Sequence, residues 1–368
     1  MKILIFLHDA FGGLGGIARN NRDVIDGLVA DARVSKVVAV PRILGTAGEE
    51  PPAKVDWRSE AGGGLGAYLA ASFGSLFRIR SDLIFCMHIN LLPVAWCASL
   101  LTRAPLWLMI FGIDAWQRPR NPMLVWLARR AHRVISISEV TSSRFQAWAR
   151  LPAERLRLLP CVVDLNRFQP GPPDPALLAR YGLAGKRVLF TFGRLVSAER
   201  AKGMDEVMEA MAGLLAEFPD LVYLIGGGGP DRPRLEAKAR ALGLEARVMF
   251  TGRIAEEEKV AYYRLADAYV MPSRGEGFGI VILEAMACGL PAMASSKDGG
   301  REALLNGKLG LLVDPDDPAS VAVGLRAVLA RPRGRPAGLD YYSVEANRTR
   351  VSRLLDEIAA ANHGPAMQ

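Results

Sequence analysis

The chain has 368 residues, half of them apolar and 23 % charged, with a formal net charge of +8. That length exceeds one ordinary core and predicts two domains of ordinary soluble composition. Four scattered cysteines, without CxxC or Cys/His spacing, exclude a thiol metal centre and read as free thiols in a reducing cytosol.

The first β-rich run, Lys2–Leu7, is too short for a secretory signal and meets His8 and Asp9 at once. Gly12-Gly-Leu-Gly-Gly16 follows it and precedes a helical pattern over Ile17–Val29. Glycines there let backbone N–H groups approach a phosphate or sugar, making Gly13, Gly15 and Gly16 candidate ligand contacts. Gly13-x-Gly15-x-x-Ala18 also fits a loose dinucleotide fingerprint. The acid expected after the next strand, Ser35–Val40, is replaced by Arg42, as an NADP enzyme would have it. A strand-to-helix turn without a ligand accounts for the same glycines.

Leu83–Thr102 is uncharged and long enough to raise a transmembrane question. His88, Asn90 and Pro93 interrupt it, so it reads as a buried strand (Leu83–Met87), a turn and a buried helix (Leu92–Leu101). His88 ends that strand at a cleft mouth, as a ligand contact or as a satisfied structural histidine. His8 and His132 carry less argument, and His363 lies in the tail. Leu106–Ile110, Val134–Ile137 and Arg157–Leu159 complete the strands of this half, with a helix over Glu139–Ala149. Arg118–Arg133 mixes Trp126 and leucines with arginines, which fits either a membrane-surface face or an amphipathic helix packed on its sheet. Residues 1–170 hold 21 Lys+Arg against 13 Asp+Glu, while residues 171–368 hold 25 of each. The positive excess thus belongs to the first half, and it suits phosphates or an anionic membrane surface. No nucleic-acid recognition motif accompanies it, so nucleic acid is not an expected partner.

Phe168–Pro175, with four prolines and a glycine in eight residues, reads as a linker between domains at 1–168 and 169–342. The strand pattern resumes at Val188–Phe192, Leu221–Ile225, Val248–Phe250, Ala268–Met271, Pro291–Ala294 and Leu309–Val313. Helical stretches at Met204–Phe218, Arg232–Leu242 and Glu256–Leu265 separate them. A last helix near Val344–Ala361, in a segment 343–368, is expected to pack back towards the first domain. The alternation predicts an α/β chain: two doubly wound Rossmann-like domains facing a central cleft, with ligands at the strands' carboxyl ends.

Ser273-Arg-Gly-Glu-Gly-Phe-Gly-Ile-Val-Ile-Leu-Glu284 carries the most chemistry. Its Gly-Phe-Gly turn opens an apolar helix, so the N–H groups of Gly277, Phe278, Gly279 and Ile280 lie beside the acid Glu276 at a helix's positive end. Glu284 falls about two turns into the helix, roughly 10 Å along one side. That spacing suits gripping both ends of a sugar nucleotide rather than attacking one bond. Arg194 and Lys202 project from the loop after Val188–Phe192, where a guanidinium fork and an ammonium would clamp a diphosphate and stabilise its leaving charge. Solvated surface charge is the alternative. Gly226-Gly-Gly-Gly-Pro230 and Thr251-Gly-Arg253 end two further strands, placing Gly226 and Arg253 on the same edge as base or phosphate contacts or as plain turns. Asp314-Pro-Asp-Asp317 reads as a turn before a helix, no HExxH or Cys/His cluster is present, and no metal or cofactor is expected.

These residues resemble the family-4 retaining glycosyltransferases, which have the GT-B fold. The resemblance runs through Gly193-Arg-Leu-Val, Lys202-Gly203, the Gly226–Pro230 turn, Thr251-Gly-Arg253, Pro272-Ser273, the E-x7-E pair, Gly289-Leu-Pro291 and Gly299-Gly-Arg-Glu302. Gly12–Gly16, Ser138-Glu139 and Leu159–Asp164 agree more loosely in the first half. The resemblance implies that Arg194 and Lys202 neutralise a donor diphosphate and that Glu284 holds the ribose hydroxyls. It implies that Glu276 contacts the transferred sugar, and that the reaction retains configuration without a metal or a dedicated enzymic base. The first domain would bind a glycan or polyprenyl-linked acceptor. Many members carry His-Gly after the fourth strand; here Phe111 stands in that place, with Asp114 or His88 as partial substitutes. Pro160-Cys-Val-Val-Asp164 replaces the usual Pro-Asn-Gly-Val-Asp. Gly112-Ile-Asp-Ala-Trp116 is similar to bacterial exopolysaccharide and lipopolysaccharide transferases.

The expected protein is therefore a cytoplasmic hexosyltransferase, peripheral on the inner face of the cell membrane, that uses a UDP- or GDP-sugar. The competing readings are a nucleotide-sugar epimerase or phosphorylase-like enzyme, an NADP-dependent oxidoreductase, and a non-catalytic nucleotide-sugar binding protein.

Overall fold

The computed structural model describes residues 1–13, 15–45, 49–196 and 202–362. They form two compact units: Met1–Val162 with the terminal helix Val344–Asn362, and Val163–Ser343.

The first unit is built on seven strands: β1 (Lys2–Leu7), β2 (Lys36–Pro41), β3 (Val55–Trp57), β4 (Leu83–Cys86), β5 (Leu106–Ile110), β6 (Arg133–Ser136) and β7 (Leu156–Leu158). Their order is β3-β2-β1-β4-β5-β6-β7 and every pairing is parallel. Strands covered on both faces need continuous apolar runs, and Ile3–Leu7 and Val37–Val40 are wholly buried. The edge strand β3 has no counterpart in the sequence reading, because three residues with an aspartate at their centre give no apolar run.

The second unit repeats the design with β8 (Arg187–Phe192), β9 (Leu221–Gly226), β10 (Val248–Gly252), β11 (Ala268–Met271), β12 (Ala292–Ser295) and β13 (Leu311–Val313). Their order is β10-β9-β8-β11-β12-β13, again parallel. In each sheet the order reverses beside the first strand, at β1/β4 and at β8/β11. Loops leaving those carboxyl ends diverge to opposite faces, and the crevice between them is where α/β folds place ligands.

Three expectations change. The helix expected over Met204–Phe218 stops at Ala212, where Gly213 follows. Arg118–Arg133 gives a helix only over Pro122–Ala128, because Pro119 and Pro122 bar helix upstream and β6 begins at Arg133. The helix after β4, Leu92–Thr102, is not buried throughout: Leu92, Ala95 and Ala98 face the core, while Leu100 and Leu101 are 61 % and 67 % exposed.

The proline-rich run Phe168–Pro175 lies within the second unit. Arg335 Nη2 donates to the carbonyls of Leu165 (3.1 Å) and Phe168 (3.0 Å), and Arg264 Nε to that of Gln169 (3.1 Å). The units divide between Val162 and Val163, and Val163 bridges Ser343, so the chain enters and leaves the second unit at one place.

The terminal helix belongs to the first unit. Val351, Leu355 and Ile358 are buried, and Asn347 Nδ2 donates to Asp23 O at 3.0 Å. Its close approach to Gly16–Ala30 uses Gly27, where an added Cβ would lie 2.9 Å from Val351 Cγ2. Glu357 accepts from Arg133 Nε (2.6 Å) and pairs with Arg157, tying the helix to the ends of β6 and β7.

Candidate active site

At the β8/β11 switch point, Gly193 and Leu195 extend β8 beyond Phe192. Gly193 N–H donates to Gly226 O and Leu195 N–H to Gly228 O, both at 3.0 Å. Gly227 makes this approach possible: its φ is 118°, and a Cβ there would lie 1.9 Å from Gly193 O. The Gly226–Pro230 turn thus holds the backbone of the segment that presents Arg194, whose side chain is exposed. Arg253, after β10, is exposed, and its Cγ faces Gly228.

Lys202 lies on the other side of residues 197–201, which are outside the described part of the chain. Gly203 follows it with φ 82°, and a Cβ there would meet Pro272 O at 2.4 Å, so this turn is pressed onto the loop leaving β11. Lys202 Nζ consequently reaches Glu276 Oε2 at 2.7 Å, with 21 % and 17 % of the two side chains exposed. Burial by itself raises the Glu276 carboxyl. The Lys202 ammonium and the N–H groups of Phe278 and Gly277 outweigh it and hold the carboxyl below its usual range.

The Glu276 loop is anchored by a residue that the sequence reading did not single out. Asp298 is fully buried; its Oδ2 accepts Ser273 Oγ–H (2.7 Å) and Glu276 N–H (2.9 Å), and its Oδ1 accepts Gly300 N–H (3.0 Å). Burial pushes the Asp298 carboxyl up to about 6, against those hydrogen bonds, and the nearby Glu276 charge adds to the rise. Phe278 is buried with its ring edge-on to Tyr342 at 5.5 Å. Gly279, left-handed with φ 96°, opens helix Ile280–Ala287 without a side-chain cap. Ile282 N–H turns back to Gly279 O at 2.9 Å, and no side chain caps the N–H groups that precede it, the positive end of the helix where a ligand's oxygen can be held.

Glu284 sits in that helix, buried, with partners of its own. Tyr263 O–H donates to Oε2 at 2.8 Å, and Lys259 Nζ lies 3.4 Å from Oε1. The two glutamates thus work with different cations, Lys202 and Lys259. Lys259 and Tyr263 were legible in principle, since an (i, i+4) pair on the Glu256–Leu265 pattern shares one helix face. Asp298 offered only a weaker signal, an acid before Gly-Gly just past a buried strand.

The first unit carries a different set at the β1/β4 switch point. The rings of His8 and His88 stand edge to face with centroids 4.1 Å apart. Burial lowers both imidazoles, His88 to about 4, so both are neutral at pH 7. His88 Nδ1 accepts Asn90 N–H (3.2 Å), capping a short turn. Asp114 accepts Phe111 N–H (3.1 Å) at the start of helix Ile113–Trp116, and burial pushes its carboxyl up to about 6. Gly15 caps helix Gly16–Ala30 with φ 99°, and Gly13 is pressed against the Asp9 carboxylate. Among the described residues, no three His, Cys, Asp or Glu side chains group to hold a metal ion, and no helix is long and apolar enough to cross a membrane.

Residues 14–167 match the sequence model named Glycosyltransferase Family 4, and residues 179–343 the model named Glycosyl transferases group 1. A GDP-mannose-dependent alpha-(1-6)-phosphatidylinositol monomannoside mannosyltransferase of Mycolicibacterium smegmatis is 37 % identical over 238 residues, which is 60 % of this chain and 61 % of that protein. A D-inositol 3-phosphate glycosyltransferase of Geodermatophilus obscurus is 38 % identical over 217 residues, 56 % of this chain and 47 % of that one. The chain thus spans about half to three-fifths of the length of these curated relatives. Among solved structures, Anabaena Alr3699/HepE in complex with UDP superposes with a TM-score of 0.76 at 23 % identity, covering 97 % of this chain and 100 % of that one, a likeness of fold.

Proposed function

The chain belongs to the glycosyltransferases of family 4 and group 1, with their GT-B fold, and on that premise we propose that it transfers a hexose from a nucleoside-diphosphate sugar with retention of configuration. The observation that carries the reading is the Lys202–Glu276 pair beside the uncapped helix Ile280–Ala287. Lys202 and Arg194 take the donor's diphosphate, and the first N–H groups of the helix share its charge, with backbone of Gly277, Phe278, Gly279 and Ile280 against phosphate and sugar. Glu276, kept ionised by Lys202, then faces the sugar ring as its C1–O bond to the diphosphate breaks. The positive charge is concentrated where leaving-group charge develops, so it stabilises the transition state more than the ground state. The departing phosphate oxygen accepts the acceptor's proton, and no metal or separate base is assigned. Glu284, fixed by Tyr263 and Lys259, binds the ribose hydroxyls, with Gly226 and Arg253 on the base and phosphate side.

The acceptor we assign is a glycan or lipid-linked glycan of the bacterial envelope, bound by the first unit near His88 and Asp114, on the cytoplasmic membrane face, while Gly13, Gly15 and Gly16 are assigned to the donor. The mannosyltransferase relative makes GDP-mannose the first donor to test. Family membership sets aside the NADP-dependent oxidoreductase, since the family models account for both units.

Calorimetric titration with UDP, GDP and NADPH, each with and without EDTA, tests the reading. One nucleoside diphosphate should bind, unaffected by EDTA, and Lys202→Ala should weaken it. Binding of NADPH with neither diphosphate would overturn it.

A further inference from the structure

We propose that Arg234 is a positioning residue for the transfer, setting where Arg194 and Lys202 stand by binding together the two stems of the loop that carries them. Each stem leads to an aspartate. On one side Lys202 is followed by Gly203 and Met204, and Asp205 then lies in the first turn of helix Met204–Ala212. On the other, the carbonyl of Leu195, next to Arg194, accepts Asp231 N–H at 2.9 Å, and Asp231 immediately precedes helix Arg232–Ala241. A Cβ on Gly229 would lie 2.0 Å from the same carbonyl, so this stem is pressed against the turn before Asp231. Arg234 takes both aspartates. Its Nη1 and Nη2 donate to Asp205 Oδ1 (2.7 Å) and Oδ2 (2.9 Å), and its Nε and Nη2 to Asp231 Oδ1 and Oδ2, both at 2.8 Å. Arg194, Lys202, Asp205, Asp231 and Arg234 line one small cavity.

Its bonding separates Arg234 from the clamp itself. Each nitrogen of its guanidinium donates to a carboxylate, which leaves a single N–H and no fork for a phosphate. Asp205 and Asp231 are 9 % and 7 % exposed, a setting in which an ion pair resists screening and a bidentate one holds its geometry. Lys238, one turn beyond Arg234, adds a 2.9 Å contact to Asp205 Oδ1. Burial by itself raises the Asp205 carboxyl; the hydrogen bonds from Arg234 and Lys238 outweigh it and bring the group down to about 2. Arg232, on the same helix, pairs instead with Glu236 at 2.7 Å in a more exposed (i, i+4) pair. A site that gathers two cations for a diphosphate must hold them against their own repulsion while it is empty. The Arg234 bracket supplies that hold, because it fastens the stems before a ligand arrives.

The inference rests on the diphosphate clamp of the proposed function. The experiment measures the affinity of the full chain for GDP and UDP by calorimetry, and for guanosine and uridine by displacement. Asp205→Asn, Asp231→Asn and Arg234→Met combined remove the bracket without stranding a buried charge, so the melting midpoint should stay close to the parent's. For whichever diphosphate the parent binds, affinity should fall about tenfold, while affinity for the matching nucleoside stays within about twofold. A purely structural role would move both together. Arg234→Ala should show the same split, and millimolar guanidinium ion should restore its diphosphate affinity but not that of Asp205→Ala. Arg232→Gln should match the parent throughout. Undiminished diphosphate affinity in the triple variant, with Lys202→Ala weakened, would overturn the bracket and leave the clamp standing. Lys202→Ala equal to the parent would overturn the clamp, and the inference with it. Nucleoside affinity lost in step with diphosphate affinity, or no rescue of Arg234→Ala by guanidinium, would also overturn the bracket.

Discussion

Replacing Asp298 with asparagine sets stability against activity in a way that the geometry makes quantitative. The side chain is fully buried and its carboxyl is pushed from 3.8 up to about 6. Holding it ionised above pH 7 therefore costs about 3 kcal/mol relative to the unfolded chain. The native state keeps the proton until about pH 6, whereas the unfolded chain releases it near 3.8. Stability contributed by the bound proton is thus complete below 3.8 and lost as pH rises through about 6. The asparagine amide resembles the protonated acid and loses nothing over that range. Asp298→Asn should match the parent at pH 4 and exceed it by up to about 3 kcal/mol at pH 8, raising the melting midpoint of a unit this size by roughly 6–12 °C. Activity should move the other way. The ionised carboxylate accepts three hydrogen bonds, from Ser273 Oγ, Glu276 N and Gly300 N. An amide NH₂ must face one of those donors, which loosens the Glu276 loop. A weakening of about 1.5 kcal/mol there lowers kcat roughly tenfold while nucleoside-diphosphate affinity stays within about threefold, because Lys202 and Arg194 are untouched. The parent's kcat should also show an acid limb near pH 6 that the variant lacks; Glu276, held ionised by Lys202, does not produce it. Melting curves and transfer rates from pH 4 to pH 8 provide the assay. A melting difference that is flat with pH, or full kcat at pH 8, would refute the assignment of Asp298 as the anchor of Glu276.

Lys202→Ala removes the cation 2.7 Å from Glu276 Oε2; nucleoside-diphosphate affinity should fall at least about tenfold by calorimetry, and the Glu276 carboxyl should rise out of its lowered range, adding a second acid limb to activity beside that of Asp298. Tyr263→Phe leaves buried Glu284 Oε2 without its 2.8 Å donor; a loss of about 1–3 kcal/mol in melting, with a raised donor KM and kcat within about twofold, is the expected pattern in steady-state kinetics. Gly27→Val drives a side chain into Val351, so denaturation of the first unit should come about 1–3 kcal/mol earlier while calorimetric nucleotide affinity is unchanged.

What the sequence made legible was whatever a short stretch of chain decides alone. Runs such as Lys2–Leu7 and Ala268–Met271 are strands because a parallel strand buried on both faces must be apolar throughout, and that is readable without its neighbours. Arg194, Lys202 and Glu276 were legible as candidates because each follows a strand, and parallel strands put their carboxyl ends on one edge. The pairing of Lys202 with Glu276 was not, for it spans 74 positions and depends on Gly203 pressing against Pro272.

The E-x7-E spacing shows the same limit from the other side. It located both acids correctly on the turn and its helix, yet spacing along a helix says nothing of what approaches from elsewhere. Lys259 and Tyr263 arrive at Glu284 from a helix some 20 residues earlier, and Asp298 arrives under Glu276 from the loop after β12. Each acid thereby acquires a different electrostatic setting, one ionised against a partly exposed lysine and one buried against a tyrosine. A sequence pattern that treated them as a matched pair was bound to miss this. The exposed leucines of the first unit follow the same logic inverted. Helix Leu92–Thr102 is apolar on every side, so periodicity could not say which leucines meet the core. Only the neighbouring helices decide that Leu92 is covered while Leu100 and Leu101 are left in solvent, next to arginines with no acid to pair with among the described residues.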